Sequence, residues 1–305
     1  MAGEHDRVVC IVNPASGVRR RRTIARRLAA ELPEAQCWFT RHPGHGVALG
    51  RQAVEDGYAT VVAVGGDGTL SEVANGILTA GGEKVRLAYV PAGTCNDFAR
   101  GQRPVSNLGG LLDRTQDRET DVGTVTFTRP DGTRDHRYFL VSCTVGLISV
   151  IGQRFTEKTP VNRVLKRLSL QLAETASSVR TLTGWRPVAV RLELDGEPSD
   201  QVITNLAVLK VPYFAGGLTF GHAQPPQAGR LDAVRVAGVG RLGVVGLMWQ
   251  VFRGAAAGHP AIHRQEVRRV RIDADSPLPV EVDGELVGFT PAEFSVHPSC
   301  LKTVV

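Results

Sequence analysis

The sequence is poor in the features that define several large functional classes. No run of 18 apolar residues occurs in its 305 positions, so no membrane-spanning helix is predicted. A Gly-x-x-x-x-Gly-Lys-Ser/Thr segment is missing, which excludes a P-loop. The eight histidines show neither His-Glu-x-x-His nor Cys/His zinc spacing; His42, His45, His259 and His263 read as surface residues. The five cysteines, at 10, 37, 95, 143 and 300, have no paired spacing, and no signal-peptide core precedes the charged stretch Glu4–Arg7. That pattern predicts reduced thiols and a cytoplasmic location rather than a disulfide frame. Lysine occurs only at 84, 158, 166, 210 and 302, so arginine carries most of the positive charge behind the +6 balance. The arginine excess accompanies abundant Ala, Gly and Val as a compositional bias, and it also suits an anionic membrane surface. Zinc-finger spacing and RNP-like aromatic motifs are lacking, so no nucleic-acid partner is expected.

Three loops stand out among what is present. The apolar run Val61–Val64 breaks into Gly65-Gly66-Asp67-Gly68-Thr69 and then opens an amphipathic helix. This is a strand–loop–helix unit whose glycines admit a ligand close to the backbone and whose helix N-terminus offers free N–H groups to an anion. Asp67, the lone carboxylate, fits if Mg²⁺ lies between it and phosphate oxygens; otherwise it caps a turn. Thr69 and Glu72 have capping-box spacing. Val8–Val12 runs into Asn13-Pro14-Ala15-Ser16-Gly17, and Leu87–Val90 into Pro91-Ala92-Gly93-Thr94-Cys95-Asn96-Asp97. Strand ends of an open α/β sheet converge on one crevice, so three such loops suggest one phosphate site. Asn13, Ser16, Gly17, Gly65, Gly66 and Gly68 would cradle phosphates, with hydroxyl contacts from Thr69 and Thr94.

Asn13-Pro-x-Ser-Gly17, Gly65-Gly-Asp-Gly-Thr69, Gly93-Thr-x-Asn-Asp-Phe-Ala-Arg100 and Asp283-Gly-Glu285 occur in this order along nearly the whole chain. The set resembles the diacylglycerol kinase catalytic family, which includes bacterial lipid kinases and the sphingosine and ceramide kinases. The resemblance implies transfer of the γ-phosphoryl of ATP, with Mg²⁺, to a lipid hydroxyl at a membrane surface. It implies a nucleotide contact from Thr40, acids Asp67, Asp97 and Asp121 close to the phosphates and metal, and Glu285 as the general base. Its partners are a lipid substrate, with peripheral membrane association, and a homodimer is compatible with it. One stretch departs from the family: Ala228 stands where an Asp usually helps to bind a structural Mg²⁺, so that cation is in doubt. Read without the resemblance, Asp283-Gly284 is a hairpin turn and Glu285 needs no function. Arg19–Arg22 reads either as a solvated helix start or as a contact with phosphates or lipid headgroups.

The expected architecture is an α/β nucleotide-binding domain with a mostly parallel sheet, of NAD kinase and diacylglycerol kinase type, over 1–125. A mainly antiparallel β domain over 126–291 follows, and a tail of about 292–305 returns to the first. Alternating strands and helices over 8–125 support the first part. Strands at 122–128, 137–145, 187–194, 202–211 and 231–236, with helices at 161–183 and 242–257, support the second. Two rival functions share these features: a kinase of a soluble acceptor such as NAD or a sugar, and a non-catalytic lipid-binding protein.

Overall fold

The computed structural model describes residues 7–16, 21–100, 102, 108–156, 181–182, 184–221 and 228–305. Gly17, the side chains of Arg19–Arg22 and nearly all of the helix expected at 161–183 lie outside these residues.

The first part alternates β1 (Val8–Val12), α1 (Arg21–Glu31), β2 (Gln36–Phe39), α2 (His45–Glu55), β3 (Thr60–Gly65), α3 (Asp67–Thr79) and β4 (Arg86–Pro91). β3 is buried along its whole length, paired in parallel with β1 and β4. Its period-two alternation sends Val61 and Ala63 to a core shared with α2 and α3, and Val62 and Val64 to a second core under α1. Where α2 crosses α3 the backbones nearly touch. A methyl group on Gly76 would collide with the Val47 carbonyl, and one on Gly50 would lie 2.6 Å from that of Val73. Glycine at both positions is what lets the two helices pack this closely.

Beyond the short helix α4 (Asp97–Arg100) the chain turns to strands: β5 (Arg118–Thr128), β6 (Arg134–Phe139), β7 (Ser142–Gly146), β8 (Val188–Leu194), β9 (Glu197–Leu209), β10 (Leu231–Ala237), β11 (Ile262–Val267), β12 (Arg269–Asp273), β13 (Pro279–Val282) and β14 (Glu285–Val304). Among the elements of the described residues two helices interrupt them, α5 (Leu147–Thr156) and α6 (Arg241–Phe252). These strands enclose a separate core of residues such as Phe127, Phe139, Leu206 and Phe294.

All fourteen strands belong to one sheet. Among the described residues β1–β2, β1–β3, β3–β4 and β4–β14 are parallel and the other ten pairings antiparallel, so the sheet as a whole is mostly antiparallel. β14 makes it continuous. It pairs with β13, β12 and β5, then ends with Lys302–Val304 beside Arg86–Ala88 of β4. The single strand expected over 137–145 is two strands with a corner at Leu140–Val141. There the amides of Leu140, Val141 and Ser142 turn to the Asp283 carboxylate at 3.0–3.1 Å. No helix among the described residues is long and apolar enough to cross a membrane.

Candidate active site

The three loops predicted to converge do so, through contacts between themselves. Asn13 donates from Nδ2 to Thr69 Oγ1 at 3.1 Å, and its Oδ1 accepts from the Ala15 amide at 2.9 Å, which closes the first loop on itself. Gly66 and Gly93 pass backbone to backbone, too close for a Cβ on Gly93. Asn96, at φ 52°, spans its loop with two 2.9 Å bonds to the Gly93 backbone. Asp67 opens α3, and its two oxygens accept from the amides of Asp97 (2.9 Å) and Phe98 (3.1 Å), holding the start of α4. The expected capping box does not form. Gly66 is the N-cap, so Thr69 sits inside the first turn, and Glu72 reaches across to the Gly44 and Gly46 amides (2.8 and 2.7 Å) at the start of α2. A loop N–H on the neighbouring helix outbids the helix's own terminus for that carboxylate.

Two cavities meet at the glycine loop. One, about 410 Å³, is lined by Asn13, Ser16, Thr40, Thr69 and Glu285 together with Gly66 and Gly68. The other, about 230 Å³, is lined by Asp67, Thr94, Asp97, Ser142 and Glu281 with the same two glycines. Gly65 is packed tightly against the Thr69 side chain, whereas a Cβ on Gly68 would meet nothing within 4 Å. Glu285 is half-exposed and paired with Arg137 at 2.9 Å. The turn reading of Asp283-Gly284 holds as well, with φ of 46° and 86° between β13 and β14.

The three carboxylates do not converge. Asp121 is fully buried elsewhere: its oxygens accept from Lys210 Nζ (3.2 Å), the Gly229 amide (2.7 Å) and the Ser299 amide (2.9 Å). No group of three Asp, Glu, His or Cys placed to hold a metal occurs among the described residues. Asp67 and Asp97 do lie together, the Asp97 amide donating to the Asp67 carboxylate. Asp97 accepts from the Gly216 amide at 2.8 Å through Oδ2, and the Gly217 amide also bonds its carboxyl, while among the described residues its buried Oδ1 lacks a hydrogen-bond partner and lies 3.7 Å from Arg100 Nε. Burial pushes its carboxyl up, and Asp67 adds to that. A carboxylate oxygen orphaned beside a second carboxylate fits Mg²⁺, which takes one or two carboxylates and completes its shell with phosphate and water.

Sequence reasoning missed the residues that tie the site to the strand-rich part. Asn75, two residues past the midpoint of α3, exchanges two hydrogen bonds of 2.9 Å with the Tyr138 backbone. Ser71 bonds the Asp283 carboxylate. Glu281 lines the acidic cavity against Gly152, and burial pushes its carboxyl up to about 7. Only its place two residues before Asp283, in an alternating strand, signalled an inward polar side chain.

The diacylglycerol kinase catalytic domain matches residues 7–125, which carry all three loops. The YegS C-terminal NAD kinase beta sandwich-like domain matches 155–305. The chain belongs to the diacylglycerol kinase catalytic-domain family. Curated relatives include the diacylglycerol kinase of Staphylococcus epidermidis RP62A, 27% identical with 93% of this chain and 87% of that protein covered. That of Staphylococcus aureus MRSA252 is 26% identical over the same shares. The fold is that of a diacylglycerol kinase from Bacillus anthracis (TM-score 0.70, 19% identity, 98% and 96% covered). More distantly it is that of yeast NADH kinase (TM-score 0.53, 9% identity, 98% and 82% covered). This family is one of kinases, and both halves of its fold are present.

Proposed function

We propose that the protein transfers the γ-phosphoryl group of ATP to the hydroxyl of a membrane lipid, diacylglycerol or a close chemical relative. One observation carries this reading: two cavities with different chemistry share a single glycine wall, Gly66 and Gly68. The larger is the nucleotide side. Asn13, Ser16 and Thr69 supply amide and hydroxyl groups for phosphates, the start of α3 supplies N–H groups and its dipole, and Thr40 contacts the nucleoside end. Thr94, on the acidic side, reaches the transferred group. Asp67 and Asp97 would hold Mg²⁺, which when bound neutralises phosphate charge.

The acceptor hydroxyl approaches the γ-phosphorus in line. Its oxygen forms the new P–O bond as the bond to the β–γ bridging oxygen breaks, and ADP leaves with that electron pair. The hydroxyl proton passes to Glu285, which Arg137 keeps aimed at the glycine wall. Positioning and charge neutralisation carry most of such a reaction.

The test is a panel of alcohols offered with labelled ATP and Mg²⁺: diacylglycerol, ceramide and sphingosine in mixed micelles, NAD and sugars in buffer. Labelled phosphatidic acid or a related phospholipid is the expected product. Label on NAD or a sugar alone would replace this reading by the soluble-acceptor one, and lipid binding without any turnover would replace it by the non-catalytic one.

A further inference from the structure

α6, Arg-Leu-Gly-Val-Val-Gly-Leu-Met-Trp-Gln-Val-Phe, carries large apolar side chains on its outer as well as its inner side, which a helix on the surface of a globular protein has no reason to do. Its inner side is used: Val244, Leu247 and Val251 are buried in the main core. Its outer side carries Val245, Trp249 and Phe252, at 53%, 60% and 67% exposure, in helical spacing of four and three. Six large hydrophobic side chains are exposed among the described residues, and half of them form this one stripe. Trp249 and Phe252 stack with centroids 6.2 Å apart, and the Arg253 guanidinium lies 5.7 Å from the Trp249 ring centre. Aromatic rings beside an arginine suit the boundary between lipid headgroups and acyl chains.

Directly beneath α6 is a narrow slot lined by Leu147, Phe220, Leu247 and Val251. Thr204 and Asn205 line it through apolar atoms, and at about 20 Å³ it is filled by the protein's own side chains. α5 begins at this slot with Leu147 and packs its Gly152 on Glu281 in the acidic cavity. The distance along the helix from Ile148 to Gly152 is about 6 Å.

We propose that α6 is the membrane-docking element of the protein. Val245, Trp249 and Phe252 seat among the headgroups of an anionic phospholipid bilayer, with Arg253 against a lipid phosphate. The formal charge of +6 favours that surface. A second copy of the chain is the weaker fit. The three side chains expose roughly 400 Å² between them, against about 800 Å² per partner in a stable interface. The purpose of the docking rests on the lipid-kinase reading above; its test does not.

The full chain is sedimented with vesicles of phosphatidylcholine, with and without phosphatidylglycerol. It carries Trp38, Trp185 and Trp249, so brominated acyl chains report which tryptophan enters the bilayer. Binding to the anionic vesicles, weakened by salt, is expected, with quenching that Trp249→Phe removes. The double variant Trp249→Ser/Phe252→Ser, both positions being exposed, should bind at least about tenfold more weakly. It should still phosphorylate a short-chain, water-soluble diacylglycerol as the wild type does. Equal vesicle binding by the double variant, or quenching that survives in Trp249→Phe, would overturn the proposal. So would a wild-type dimer that ignores vesicles and dissociates in the double variant. Binding through Trp249 in a protein that phosphorylates no alcohol would leave the docking standing and remove the kinase reading.

Discussion

Nothing among the described residues requires Gly68 to be glycine. Its backbone is ordinary helix, and a Cβ there would meet nothing within 4 Å, yet it lines both cavities. Alanine is the better helix former by up to about 1 kcal/mol. Gly68→Ala should therefore leave thermal stability equal or higher while weakening ATP binding roughly tenfold or more, because the methyl occupies the approach of a phosphate. Unchanged nucleotide affinity in calorimetry would mean that the loop faces no ligand. Glu285 is the converse case, a side chain with a fold partner whose reach matters more. Glu285→Gln should lower kcat by about 10²–10⁴ and alter the ATP dissociation constant little. An unaltered kcat would reduce Asp283-Gly-Glu285 to a turn. At this scale the glycine motif was legible because its chemistry is local. Asp121 was not: its three donors come from positions 210, 229 and 299, and nothing beside it in the sequence announces them.

Elements that alternate cleanly were readable. Val61–Val64, Leu87–Val90 and the helix after Asp67 formed close to where their patterns placed them. Elements shaped by distant partners were not, and Asp283 shows why. From the sequence it is a turn residue; in the fold it accepts from three consecutive buried amides and divides β6 from β7. Asp283→Ala should cost roughly 3 kcal/mol or more in urea unfolding, since it strands those donors. Asp283→Asn should cost less, because Oδ1 alone serves Val141 and Ser142. Similar small losses for both would show that the corner is held by its own strands.

Glu281, on β13 beside this corner, gives the pH dependence a sign. Burial lifts its carboxyl from 4.5 to about 7. Between those values the unfolded chain gives up the proton and the folded protein keeps it. Its contribution to stability is thus fully present below pH 4.5 and is lost as pH rises toward 7. Glu281→Gln, neutral throughout, should flatten that fall. A melting temperature whose decline from pH 5 to 7 matches wild type would exclude Glu281 as its source.

At the scale of the molecule, the two domains expected from the sequence share one sheet and a core that runs through both parts of the chain, and β14 is the strand that makes the sheet continuous. Lys210 and Asp121 sit where that continuity is decided. The ammonium lies 3.2 Å from Asp121 Oδ2 and 3.1 Å from the Arg230 carbonyl, almost without solvent. Through Asp121 the same cluster holds the amides of Gly229, beside Ala228, and Ser299 of β14. Burial pulls the Lys210 pKa down while Asp121 pulls it back up, so the pair exists only as a pair. The positive charge in this loop is therefore supplied by the chain. Calorimetry of the nucleotide-free protein should detect no tight Mg²⁺ site there.

Lys210→Met removes the cation and leaves the buried Asp121 carboxyl without its counter-ion, which should cost about 3–5 kcal/mol. Because the cluster joins β5, β10 and the end of β14, the loss should lower a single unfolding transition and not melt one half alone. The double variant Lys210→Met/Asp121→Asn should recover part of the stability, since no unpaired charge remains, but not all of it, because the Gly229 and Ser299 amides bond different Asp121 oxygens and the Asn side chain can accept from only one of them. A Lys210→Met protein within about 1 kcal/mol of wild type, or one restored to wild-type stability by millimolar Mg²⁺, would show that an ion and not this ammonium holds the junction.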